Sequence, residues 1–209
     1  MAQYFKIHPD NPQVRLLNQT TLILQQGGVI VYPTDSCFAL GCLPGNKNAF
    51  ERILSIRRLN HKHNFTLLCS SMASAGALAK TDNTAFRLIK RLTPGPYTFL
   101  LRASHQVPRY IQHPKKKTIG LRIPAHETLL ALLQLVAEPI LSTSLILPDN
   151  DAPETDPEEI YSKLGREVDL VIDSGSCGME LTTVIDLTSD TVEIVRRGRG
   201  DLQDFPVGE

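Results

Sequence analysis

Short β-branched runs, each cut off within about five residues by proline, glycine or a polar cluster, recur along this chain and alternate with helical stretches. A chain that returns to extended structure after nearly every helix can bury both kinds of element only as a sheet flanked by helices. The apolar spacing predicts a helix over Val14 to Gln26, closed by Gly27 and Gly28, then a strand over Val29 to Tyr32 that stops at Pro33. Phe38 to Cys42 reads as a strand, Asn48 to Arg57 as a helix and Phe65 to Cys69 as a strand, with His61 to Asn64 connecting the last two. A helix over Thr84 to Leu92 is blocked by Pro94, Gly95 and Pro96, and strands follow at Tyr97 to Leu101 and at Thr118 to Ile123, the second ended by Pro124. Leu129 to Val136 is helical, and Pro139 to Leu147 is a buried strand interrupted by the hydroxyl run Ser142-Thr143-Ser144. Asp149 to Pro157 is the one linker-like stretch, and Asp156-Pro157-Glu158-Glu159 opens a further helix. Strands at Val168 to Asp173, Thr183 to Leu187 and Val192 to Arg196 complete an α/β domain with a mixed sheet, expected to be a single domain over residues 1–209.

With 42% apolar and 21% charged residues the chain can bury a sizeable core. Lysine plus arginine and aspartate plus glutamate both total 22, so anion or nucleic-acid binding must come from a local patch. Cys37, Cys42, Cys69 and Cys177 are too few and too scattered for a disulfide framework, and they read as reduced, mostly buried thiols. Without a secretory signal or a long apolar span, the expected location is the cytoplasm. No repeat, no G-x-G-x-x-G and no G-x-x-x-x-G-K-[ST] occurs, which removes the two commonest nucleotide cradles.

Polar residues beside strand ends form a short list: Thr34, Asp35 and Ser36; Arg57, Arg58 and Lys62; Thr118 and Arg122; Ser142 and Ser144; Thr182 and Thr183; Arg196 and Arg197. Arginine forks and hydroxyl donors suit an anionic ligand, a carboxylate or a phosphate. They do not suit a hydrolase, since no G-x-S-x-G elbow is present and no catalytic nucleophile is assigned. Cys37-x4-Cys42 and His61-x-His63 lack the further pairs of a closed zinc site, so no metal ligands are assigned and these are read as buried thiols and loop histidines. Taken singly, each candidate has a plainer reading. Thr34-Asp35-Ser36 makes a turn, a strand serine pairs with backbone, and Lys115-Lys116-Lys117 is a solvated loop that would also attract phosphate.

Order and spacing add what the single residues lack. VIVYPTDSCFALGC resembles the P-T-[DE]-T-x-Y-G-L signature of the YrdC family, whose best-known members make threonylcarbamoyl-adenylate. TPGPYTFLL resembles its P-G-P-x-T segment, TIGLRIP its T-x-x-x-R-x-P, LSTSLIL the place of its S-x-N, and TTVIDLT with VEIVRRG its closing S-T-V-x-D and R-x-G segments. The likeness covers roughly residues 15 to 200. The family's K-x-R-P reads here Arg57-Arg58-Leu59-Asn60, its Tyr falls on Phe38 and its Asn on Ile146; these departures, with FKIHPDNPQ and HNFTLLC, resemble the YciO branch.

The resemblance implies a twisted mixed sheet curled around a concave basic cleft. It places Thr34, Arg122, Ser142 and Thr182 on the side of an L-threonine substrate, and Thr118, Ser144 and Arg196 on the side of ATP, which brings Mg²⁺. Leu59 falls on a nucleotide-binding arginine, leaving Arg57, Arg58 or Lys62 as possible substitutes. In the implied reaction the threonine amine takes up bicarbonate, and the carbamate oxygen attacks the α-phosphorus of ATP and expels pyrophosphate, weakly here because contacts are lost. The alternative is a binding protein for double-stranded RNA, tRNA or rRNA, with synthase activity reversed, altered or absent. In that case Arg57, Arg58, Lys62, Lys115, Lys116, Lys117 and Arg197 supply phosphate or RNA contacts.

Overall fold

A computed structural model of the chain describes residues 1–203. In chain order the elements are β1 (Gln3–Lys6), α1 (Val14–Gln25), β2 (Ile30–Tyr32), β3 (Ala39–Cys42), α2 (Lys47–Arg57), β4 (Thr66–Leu68), α3 (Met72–Gly76), β5 (Ala79–Lys80), α4 (Asn83–Leu92) and β6 (Tyr97–Ala103). A 3-10 turn (Arg109–Ile111) precedes β7 (Thr118–Arg122), α5 (Glu127–Val136), β8 (Ile140–Ser144), α6 (Pro157–Leu164), β9 (Leu170–Asp173), β10 (Thr183–Asp186) and β11 (Glu193–Arg196). Among the described residues all eleven strands join one sheet, in the order β1-β9-β2-β3-β8-β4-β7-β6-β10-β11, with β5 beside β6. Parallel pairs (β1 with β9, β4 with β7, β6 with β10) and antiparallel pairs (β2 with β3, β3 with β8, β10 with β11) make it mixed, as the alternating pattern predicts.

Side-chain alternation along the strands divides the core in two. Val31 and Val171 face one cluster with Phe50 and Ile53 of α2, Leu88 of α4 and Ile160 of α6. Ile30, Tyr32, Leu170 and Ile172 face the other, with Leu17 and Leu24 of α1 and Leu129, Leu132 and Leu133 of α5. On the α1/α5 face the apolar residues give way to polar ones along the sheet. β8 runs Ile140, Ser142, Ser144 on that face and β6 presents Thr98, whereas their alternate neighbours Leu141 and Phe99 stay in the first cluster. That change of chemistry marks where helices stop covering the sheet.

The helix ends follow local rules. Gly27 closes α1 with φ +85°, a conformation side chains other than glycine rarely adopt. Asp156 caps α6 by accepting from the Glu158 and Glu159 N–H groups, with Pro157 in the first turn. Asp156→Ala is expected to lower stability by about 1 kcal/mol, read from the urea midpoint at unchanged slope.

Three elements escape the sequence reading: β1, α3 and β5. The stretch 149–157 is not a free linker either. Glu154 is buried, its N–H donates to Leu145 O, and its carboxylate accepts from Lys163 at 2.8 Å and Asn150 at 2.8 Å, so the loop is fastened to β8 and α6. All four cysteines are free thiols; Cys37, Cys42 and Cys69 are buried and Cys177 is half-buried. No helix among the described residues is long and apolar enough to cross a membrane.

Candidate functional site

The exposed part of the α1/α5 face is the wall of a cavity of about 410 Å³. It is lined from β3, β4, β6, β7, β8, β10 and β11, and its charged residues are three arginines, Arg57, Arg122 and Arg196. Thr34, Ser36, Ser142, Ser144 and Thr182 line it as well, so most of the substrate-side and nucleotide-side candidates meet in one place.

Two glycines make room for this wall. A Cβ at Gly120 in β7 would lie 2.8 Å from Thr66 Oγ1 and 3.1 Å from Thr98 Cγ2, two hydroxyl side chains that line the cavity. One at Gly41 would lie 2.7 Å from the Tyr32 hydroxyl, because that phenol passes over β3 to reach Ser142 on β8 at 2.7 Å. Tyr32 is the donor, so Ser142 keeps its own proton for a cavity ligand.

Arg122 sits at the end of β7, 7% exposed. Its guanidinium donates to Asp35 Oδ1 and, at 3.1 Å, to Ser36 Oγ. Because a guanidinium only donates, Ser36 must pass its own proton onward. It bonds Thr34 Oγ1 at 2.9 Å, and Thr34 donates to Cys37 O at 2.7 Å. Thr34 Oγ1 also accepts from the Ser36 and Cys37 N–H groups at 3.1 and 3.2 Å, which leaves its hydroxyl without spare capacity. The turn reading of Thr34-Asp35-Ser36 is thus correct in geometry, and the turn aims Arg122. Asp35 Oδ2 and Arg122 Nε are buried and have no partner.

The other two arginines have neutral partners only. Arg57, on the last turn of α2, donates to Ser144 O and weakly to Thr143 Oγ1, with Nε buried and unpartnered. Arg196 on β11 grips Thr182 twice, Nε to the carbonyl at 3.0 Å and a terminal nitrogen to Oγ1 at 3.1 Å, and Thr182 Oγ1 bonds Thr98 at 2.9 Å. Burial lowers both guanidinium pKa values from the usual arginine range. A charge held by neutral dipoles retains most of its attraction for an incoming anion.

Several candidates lie elsewhere. Thr118 is buried at the opposite end of β7, roughly 13 Å along the strand from Arg122, and is not part of the lining. Thr183 is fully buried and spends its hydroxyl on Gly200 O and the Gly198 N–H, a structural role. Arg58 takes the left-handed cap of α2, φ 46°, and turns outward to an exposed pair with Asp149. Lys62, Lys115, Lys116, Lys117 and Arg197 are exposed and do not line the cavity. Leu59 packs against the core rather than into the cavity, while Ile146 does line it.

His63, Thr143, Thr98 and Asp35's pairing with Arg122 are the contributions that reading by residue type passed over. His63 is a cavity-wall residue, not a free loop histidine, and bonds Thr143 Oγ1 at 3.0 Å. Burial first, then Arg57 and Arg196, push its pKa from 6.5 down to about 4. The unfolded chain therefore binds the extra proton between those values, and the folded chain does not. This contribution to stability is full above pH 6.5 and is lost as pH falls toward 4, on the order of 3 kcal/mol at most. Urea unfolding at pH 7 and pH 4.5 should show the loss, and His63→Gln should reduce it.

The sequence profile of the Sua5/YciO/YrdC family, which carries the description "Telomere recombination", matches residues 22–198. An Escherichia coli K12 protein named YciO is 53% identical over 205 residues, covering 98% of this chain and all of the relative. Its crystal structure superposes with a TM-score of 0.94 over 97% of this chain and 98% of the other. A Coxiella burnetii threonylcarbamoyl-AMP synthase is 31% identical over 160 residues, 75% of this chain and 84% of the relative. Pyrococcus abyssi Sua5 complexed with L-threonine, at 26% identity, matches with a TM-score of 0.86 over 93% of this chain and 57% of that protein. Carried by a profile match over most of its length and by relatives at both levels of identity, this chain belongs to the Sua5/YciO/YrdC family.

Proposed function

We infer that the cavity binds a small amino acid such as L-threonine beside a nucleotide phosphate, and that the chain is a weak enzyme of the threonylcarbamoyl-AMP synthase type. The observation that carries this reading is the division of labour among the three arginines. Arg122 is already half neutralised by Asp35, which suits a single carboxylate approaching its remaining N–H groups. Arg57 and Arg196 have no carboxylate partner and suit a more highly charged group, a phosphate. Ser142, with a proton to donate, and Thr182, fixed by Arg196, stand nearby for the ligand's polar atoms. Thr34 contributes by fixing Ser36 and hence Arg122. Support from outside the chain is the L-threonine complex of Sua5 and the name of the Coxiella relative.

Such a site performs little covalent chemistry. Its work is to hold a carbamate oxygen in line with the α-phosphorus and to neutralise the charge that develops as pyrophosphate leaves. Among the described residues no group of three His, Cys, Asp or Glu could hold a metal ion, so Mg²⁺ would arrive on the nucleotide's phosphates. The test is calorimetry with L-threonine and ATP, alone and together, followed by pyrophosphate release that requires both threonine and bicarbonate. Binding of both ligands with slow release is expected. Binding of neither would end this reading, and salt-sensitive binding of folded RNA in their place would support an RNA-binding protein instead.

A further inference from the structure

Thr143 stands between two groups that make opposite demands on its hydroxyl. Arg57, which can only donate, approaches Thr143 Oγ1 to 3.4 Å from one side. His63 Nε2 lies 3.0 Å away on the other. One hydroxyl serves both when Thr143 accepts from the guanidinium and sends its proton to a neutral His63 ring protonated on Nδ1, with Nε2 the acceptor. The charged groups acting on His63 are Arg57 from the end of α2 and Arg196 from β11, and no carboxylate is among them. Arg196 in turn feels Cys37 and Arg122, and the Phe65 ring packs edge-on against the imidazole at 5.0 Å. A proton on His63 would be a third positive charge beside two guanidiniums. Burial first, and these two guanidiniums after it, hold the ring's pKa down at about 4.

A dianion between Arg57 and Arg196 reverses that balance. We propose that His63 couples anion binding to proton uptake: a tetrahedral dianion seated between Arg57 and Arg196 draws a solvent proton onto His63 Nε2, and the Thr143 hydroxyl turns its own proton from the ring to the anion. The step moves one proton from a solvent hydronium ion to Nε2, reverses the Thr143–His63 hydrogen bond and adds one from Thr143 to the anion; no other covalent bond forms or breaks. It rests on the reading of Arg57 and Arg196 as a phosphate site, and it narrows the ligand class there to a tetrahedral dianion. By linkage such an anion binds more tightly as pH falls.

Sulfate is the probe, because it has the shape and charge of a phosphate dianion and exchanges no proton in the range used. The six histidines are followed by NMR of histidine-labelled protein between about pH 3 and 7.5, a range spanning the sulfate-free midpoint, with the His63 resonance identified by its loss in His63→Gln. Saturating sulfate is expected to raise the His63 midpoint by at least one pH unit, equivalent to tenfold tighter binding to the protonated protein. Arg57→Gln is expected to raise the midpoint without sulfate. Sulfate binding seen by calorimetry with an unmoved His63 midpoint, or with its full pH dependence kept in His63→Gln, overturns the coupling and leaves the anion site standing. Absence of millimolar sulfate binding, or binding that survives Arg57→Gln with Arg196→Gln, overturns both.

Discussion

Replacing Arg122 by alanine is expected to reduce L-threonine affinity by about 30-fold to 1000-fold, or 2–4 kcal/mol, and to destabilise the fold by a further large amount. The two effects have separate causes. A ligand carboxylate loses its guanidinium, and Asp35, whose side chain is 10% exposed beside an Arg122 only 8% exposed, is left as a buried charge without its partner. Breaking such a pair typically costs about 3–5 kcal/mol. Asp35→Asn combined with Arg122→Ala removes the stranded charge, so urea unfolding should regain much of the stability while calorimetry shows binding still lost. Unchanged threonine affinity in that double variant would remove Arg122 from the ligand site.

Threonine- and bicarbonate-dependent pyrophosphate release is expected to run about 10³-fold below that of a dedicated synthase assayed side by side, the typical worth of a positioned guanidinium at a transferring phosphoryl group. Leu59 supplies no charge and faces the core, Arg58 is turned out to Asp149, and Ile146 places a branched apolar group in the cavity wall. Arg57 alone remains at the helix end, already tied to Ser144 O. Arg57→Lys with Leu59→Arg and Ile146→Asn should raise the rate, while Ile146→Asn alone, which adds no charge, should do little. Leu59→Arg must carry its stem off the core, so stability is measured alongside turnover. Wild-type turnover equal to the synthase would show that Arg57 and Arg196 suffice.

Strands bounded by proline or glycine were legible because their ends are set by local backbone chemistry. Tyr32 before Pro33 ends a strand where the sequence says it should, and β7 stops at Arg122, one residue short of the expected Ile123 before Pro124. β1 and β5 were not, since four and two residues carry too little alternation and exist by pairing with Lys6-to-Asp173 and Ala79-to-Ala103 partners far along the chain. α3 is five residues whose cap is Ser71 with Ser74, a weaker signature than the serine-to-glutamate box. In the site, residue type singled out the arginines and hydroxyls, but not their division of labour. That Arg57 enters the cavity and Arg58 leaves it depends on a single left-handed residue at the helix end. That Thr118 stands apart depends on strand length, and the state of His63 depends on burial and then on two arginines from elements more than a hundred residues apart.

Strand order also decides how the protein should be handled. The chain begins on one edge of the sheet, at β1, and its last strand, β11, forms the opposite edge and carries Arg196 into the cavity. A surface tether, fluorophore or affinity tag attached at Met1, itself 93% exposed, hangs from the sheet edge that contributes nothing to the cavity lining. A tether at Gln203, the last described residue, starts only seven residues after Arg196, the guanidinium proposed to meet a phosphate. Immobilised binding measurements made through Met1 and through Gln203 should therefore disagree, with the Met1 tether giving the undisturbed affinity.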